Sequence, residues 1–220
     1  MDLHLHEAIT LISLNDEKGN YTAAGGYINY AFGAALLTDL ILAERVAIED
    51  DRVKLVTNAI TDSRALNTVI DQVSRRKKPM KVGNWIHTLV QRSTKLYKLC
   101  VEKLIKDGIL ERREKKILWV FSVNRYPTVD GEPENELRQR LKALMLDDTT
   151  TPDRKERMLL VILLHCELYT GLLDDKSDRK RAKARLEALT EDSLMEDHIG
   201  KTIREMQAAV MVATTSSIVT

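Results

Sequence analysis

Two cysteines among 220 residues are too few for a disulfide framework. Cys100 and Cys166 both stand in apolar helical contexts, which suits reduced core residues in a reducing compartment. Long apolar runs are also missing: none reaches the ~18 residues of a spanning helix. The opening stretch MDLHLHEAITLISLND lacks the basic flank of a signal peptide. Together these features predict a cytoplasmic protein, one that attaches to a membrane from outside if it attaches at all. Charge of one sign is not in excess either, with 34 basic and 33 acidic residues and a net charge of +1. A dedicated duplex-binding protein shows a broad basic face, so nucleic acid is a disfavoured partner and any anion-binding patch must be local. With 4 prolines and 9 glycines, no low-complexity linker interrupts the chain, and no internal repeat is visible. The chain is long enough to bury a core without disulfide or metal. One domain over residues 1–220 is the economical reading.

The motifs that carry chemistry are absent as well. There is no CxxC pair, no HExxH, no GxxxxGK phosphate loop and no GxSxG elbow. His4 and His6 are two apart and do not share a helix face. His165, in an apolar helix, reads as a satisfied core histidine, and Gly25-Gly26 as a helix-entry turn. Nothing assembles an enzyme, and no cofactor or metal is expected.

What is present is mostly helical periodicity. Leu3-Leu5-Ala8-Ile9-Leu11-Ile12 has helical spacing and ends at the polar turn 15–19. Residues 27–43 contain AFGAALLTDLIL, apolar nearly all round, and belong at the centre of the core. Two short β-prone runs, Val46-Ala47-Ile48 and Val53-Lys54-Leu55-Val56, form a first hairpin around Glu49-Asp50-Asp51-Arg52. Further helices are predicted over 63–73, 82–90, to 106 from a cap at Ser93 or Thr94, 134–146, 152–173, 179–189 and 194–214. A second hairpin is predicted in KDGILERREKKILWVF, residues 106–121, with Arg112-Arg113-Glu114-Lys115-Lys116 as its tip and Ile117–Phe121 as its second strand. The fold class is therefore mostly α: a compact multi-helix domain with two short β-hairpins on its surface.

The basic runs are the remaining functional signal. Arg75-Arg76-Lys77-Lys78 with Lys81 is one. Arg92, Lys95 and Lys98 recur every third residue along one helix face, and the hairpin adds Arg112, Arg113, Lys115 and Lys116. Residues 178–185 hold another run. Each run alone suits a solvated surface. Each cation beside an anionic bilayer contributes ~1 kcal/mol, so a cluster gives weak, salt-sensitive attachment that needs a second signal. Leu118 and Trp119, next to the basic run, are candidates for shallow insertion.

The ordered series LHEAITLISLNDEKG, ALLTDLILAERVAIEDD, LNTVIDQVSRRKKPMKVGNWI, VEKLIKDGIL, LRQRLKALML and PDRKERMLLVILLHCEL resembles the Golgi phosphoprotein 3 family over nearly the whole chain. The resemblance implies a cytosolic helical domain on membranes. It implies binding to phosphatidylinositol 4-phosphate and, in eukaryotic relatives, to the tails of membrane glycosyltransferases. The family's headgroup site uses a Trp before the second helix, an Arg within it and two Arg three apart before the hairpin. In ungapped register these fall on Ala24, Gly33, Thr94 and Tyr97, with Arg92, Lys95 and Lys98 as the basic neighbours. The family's hairpin assists membrane contact and, in some members, oligomerisation. The resulting expectation is a non-enzymatic peripheral membrane protein holding anionic lipid through Arg92, Lys95, Lys98, Arg112, Arg113, Lys115, Lys116, Leu118 and Trp119. The alternatives are a protein-interaction or homo-oligomer module built on the hairpin, and a winged-helix-like nucleic-acid binder with 94–106 as its reading helix.

Overall fold

Helix α2 (Ile28–Leu42) is the axis of the fold: every residue from Tyr30 to Leu40 is buried. The structure, a computed structural model, describes residues 3–14, 27–117 and 121–191. A helix apolar on all sides must be wrapped by others, and α1 (Leu5–Ser13), α3 (Arg64–Ser74), α4 (Val82–Gln91) and α7 (Arg154–His165) pack around it. Gly33 lets α4 come close: a Cβ there would lie 3.3 Å from Leu89 Cβ. α3 follows its predicted stripe, burying Leu66, Val69, Ile70 and Val73, and Ser63 caps it by accepting from the Leu66 amide.

Strands β1 (Val46–Glu49) and β2 (Arg52–Leu55) form the predicted first hairpin. Asp50 and Asp51 turn it at φ of 50° and 58°, the left-handed pair that a two-residue loop requires. A third strand, β3 (Met80–Lys81), pairs antiparallel with β2 through Arg52–Lys81 and Val53–Met80. The sequence does not announce it, because two residues are too few to show alternation.

Helix α5 (Ser93–Lys106) follows α4 at a corner on Arg92. Neither Ser93 nor Thr94 caps it. Ser93 is already its first helical residue, and the cap position, Arg92, makes no side-chain cap bond. After α5 the chain turns at Gly108, whose φ of +79° suits glycine. The second hairpin exists, in a different register from the predicted one. β4 (Arg113–Ile117) pairs with β5 (Phe121–Arg125), from Arg113–Arg125 to Ile117–Phe121. The basic run is thus a strand and not a tip, and Ile117 and Phe121 belong to opposite strands. Leu118 and Trp119 lie in the connection, outside the described residues. The base of the hairpin is extended by a bridge between Leu110 and Thr128.

Helices α6 (Glu132–Leu146), α7 and α8 (Lys176–Glu191) form a second group. The helix predicted over 152–173 is shorter. α7 starts after Asp153, which forms a reciprocal capping box with Glu156, so Pro152 stands before the cap rather than in the first turn. It stops at Cys166, where Glu167 takes a φ of 55° and a 3-10 turn (Leu168–Leu172) follows. Residues 194–214, the turn at 15–19 and Gly25-Gly26 lie outside the described residues.

Candidate functional site

The predicted cations fall at separate places. Arg92 is at the α4–α5 corner, and Lys95 and Lys98 follow on the solvent side of α5; all three are exposed. Among the described residues, none of the three has an ion pair or side-chain hydrogen bond. The hairpin leaves from the other end of α5, and at 1.5 Å per residue Arg92 lies roughly 21 Å along the axis from Lys106. Arg112 is exposed just before β4, and Arg113 opens β4 with its guanidinium paired to Glu111. Lys115 and Lys116 are β4 positions opposite Val123 and Ser122.

A second basic region sits at the three-stranded sheet. The loop between α3 and β3 carries Arg75, Arg76, Lys77 and Lys78. Arg75 is tied back to Asp71 at 2.8 Å, while Arg76 lies 5.0 Å over the Trp85 ring. A cleft of about 370 Å³ opens beside them, lined among others by Lys54, Leu55, Arg76, Lys78 and Trp85. Sequence reasoning noted the charge run and the tryptophan separately. The signal that joins them is the pairing of β3 with β2, which folds the run back onto α4.

Two polar clusters are structural ties, the first buried and the second partly exposed. The first links three helices: His6 Nδ1 lies 2.6 Å from Asp39 Oδ2, and His6 Nε2 lies 3.2 Å from Ser63 Oγ. The order Ser–His–Asp is that of a hydrolase relay. Here, however, Ser63 is 1% exposed, and its Oγ already accepts the Leu66 amide. Although two apart in sequence, His4 and His6 stack with ring centroids 5.3 Å apart, because His4 is a cap residue outside the helix. The second cluster lines a cleft of about 530 Å³ that includes Glu7, Lys103, Asp107, Arg140 and Glu156. Lys103 Nζ reaches Asp107 at 2.7 Å and the buried Glu7 at 3.2 Å. Partial burial opposes its charge, but Asp107 and Glu7 outweigh that and hold its pKa above the usual lysine value. Arg140 bonds both oxygens of Glu156 at 2.7 and 2.9 Å, which holds that carboxyl below its usual range.

His165 is not the satisfied core histidine of the sequence reading. Its Nε2 is buried without a hydrogen-bond partner among the described residues, and burial lowers its pKa. The cysteines are buried and unpaired, as expected; burial pushes the Cys166 thiol up to about 12, far from a reactive thiolate.

The fold is mostly helical and carries basic surfaces, and no described helix is long and apolar enough to cross a membrane. The family is shown directly. The sequence model described as Golgi phosphoprotein 3 (GPP34) matches residues 5–206, and the chain belongs to that family. It is similar to "Vacuolar protein sorting-associated protein 74" of Eremothecium gossypii, 20% identical over 164 residues, covering 66% of this chain and 49% of that protein. The protein of the same name from Schizosaccharomyces pombe is 23% identical over 223 residues, covering 85% of this chain and 66% of its own. The chain thus spans about half to two-thirds of the length of these relatives.

Proposed function

We propose that this chain is a peripheral membrane protein that attaches to anionic lipid from the cytoplasmic side through charge. The observation that carries this reading is the row Arg92, Lys95 and Lys98, exposed and without a compensating carboxylate among the described residues. Three such cations are worth ~1 kcal/mol each at an anionic surface, too little for stable attachment alone. The basic strand β4, with Arg112 before it and Leu118 and Trp119 in the connection after it, is the second contact. A family whose members carry Golgi and vacuolar-sorting names supports a membrane setting. Membrane-protein tails and a second copy of the chain are further partners consistent with it.

Vesicle co-sedimentation tests the reading. The chain should pellet with phosphatidylcholine vesicles containing phosphatidylserine or phosphatidylinositol 4-phosphate, less with phosphatidylcholine alone, and less at high salt. Reversing Arg92, Lys95 and Lys98, or Arg112, Arg113, Lys115 and Lys116, should lower recovery. Equal recovery on neutral and anionic vesicles refutes the reading.

A further inference from the structure

Strand β2 has a bare edge. Its two-residue turn makes Glu49–Arg52 a hydrogen-bonded pair, and beyond β1 the Val56 amide donates to the Arg45 carbonyl at 2.9 Å. Hydrogen-bonded pairs alternate along an antiparallel ladder, so Arg52, Lys54 and Val56 turn their N–H and C=O toward the β1 side. Val53 and Leu55 turn theirs the other way. β3 covers Val53 through Met80 and begins there. Pro79, just before it, has no N–H with which to continue a ladder, and among the described residues no strand lies opposite Leu55 on that side. The cleft beside the sheet opens at this point, with Lys54, Leu55, Lys78, Pro79 and Met80 in its lining.

The surface around this edge is apolar with a basic border. Leu55 is 39% exposed, Val56 59% and Ile60 83%. Arg45 fixes the loop that carries them: its Nε donates to the Ala59 carbonyl at 3.0 Å. Of the border cations, Lys54 is paired with Glu49, Arg75 with Asp71 and Lys81 with Asp51. Arg76, Lys77 and Lys78 are exposed and face no carboxylate among the described residues.

We propose that this edge is a docking site for an extended acidic segment of a partner protein, which adds to β2 as a strand beside Leu55. Its backbone meets the open N–H and C=O of Leu55, and an apolar side chain of the segment rests against the exposed Leu55 side chain. Its carboxylates answer Arg76, Lys77 and Lys78. Strand addition draws affinity from main-chain bonds and specificity from the side chains, and here the uncompensated charge of the border sets the sign of the partner. Glu49, Asp50 and Asp51, at the β1–β2 turn of the same sheet, repel an anionic bilayer. Mixed charge around an apolar centre is instead the pattern of a protein interface. The site lies on β2 and the α3–β3 loop and does not depend on the cations of α5 or the second hairpin.

The test selects random peptides displayed on phage against the full-length chain in solution. Enriched sequences should combine carboxylates with an apolar residue. Synthesised and fluorescently labelled, they should bind the unchanged chain, and the pair Arg76→Glu with Lys78→Glu should weaken that binding roughly tenfold or more. Bound peptide should slow hydrogen exchange at the Leu55 amide, the signature of an added strand. Leu55→Pro, which removes that amide at an edge position where proline is tolerated, should abolish binding; should it fail to fold, the surface charge pair and the exchange measurement still decide. Enrichment of no peptide, or of peptides that the charge pair leaves unaffected, overturns the proposal. So does a charge pair that lowers recovery on phosphatidylserine vesicles while peptide binding stays the same, which would make the face a membrane contact. The peptide measurements contain no lipid, so failure of the charge-driven attachment leaves them readable.

Discussion

Asp39 of α2 holds the start of α1: its carboxylate lies 2.6 Å from His6 Nδ1 and accepts the backbone amides of Leu5 and His6 at 2.9 and 3.0 Å. The first amides of a helix have no partner within it, and here a side chain from another helix supplies one. Asp39→Asn keeps the shape but removes the charge and one acceptor. It should lower stability by about 3 kcal/mol, read by urea denaturation with an unchanged m-value.

Lys103 is the counter-ion of Glu7, whose side chain is 2% exposed. Lys103→Met should cost about 3 kcal/mol, because it leaves a buried charge alone. Adding Glu7→Gln should recover part of that loss, and a double-mutant cycle measures the coupling. Additive losses would show that the pair does not interact.

The half-buried His165 gives a pH signature. Its pKa in the folded chain is below the ordinary 6.5, because burial penalises the charged ring. Above 6.5 both folded and unfolded states hold it neutral. As pH falls through 6.5 the unfolded state takes the proton first, so stability declines. His165→Leu should flatten that part of the profile. The measurement is the difference in unfolding free energy between the two proteins from pH 8 to pH 5, and a constant difference refutes the assignment.

Glu167 stops α7 in a left-handed conformation that glycine adopts more readily. Glu167→Gly should therefore stabilise the protein by about 0.5–1 kcal/mol, the left-handed cost of about 1–2 kcal/mol less the added chain entropy of glycine, seen as a higher thermal midpoint.

Gly33 faces Leu89 Cβ, the Ile86 carbonyl and the Val90 amide. Gly33→Val should destabilise by about 1–3 kcal/mol through overpacking of the α2–α4 contact. The same crowding shows why an arginine at this position would not reach a headgroup here: it would drive into α4.

Much of the fold is legible in the sequence because most helices carry their own signal. The stripe of α3 and the all-round apolar character of α2 are local patterns, and the structure reproduces both. Where the sequence misleads, the missing information is non-local or unconventional. Glu167 ends α7 without the glycine that marks such stops, so 152–173 reads as one helix. The strand β3 is defined only by β2. The basic run before Ile117 reads as a turn because charges crowd it, yet ladder pairing makes it a strand. For the site, the charges are legible and their company is not. Arg76 and Lys78 become a cleft only once Trp85 is folded against them, and His6 finds Asp39 and Ser63 only through the packing of three helices.

The loop from Arg75 to Pro79 is fixed at both ends, by the Arg75–Asp71 bond and by the Pro79 carbonyl, which accepts from Arg52 at 2.9 Å where β3 begins. A basic tail of the same composition would surrender ~1–2 kcal/mol of backbone entropy per residue when a ligand ordered it. Here folding has already removed most of that freedom. An anion meeting this loop would find its backbone already ordered, so little change in backbone order should accompany binding.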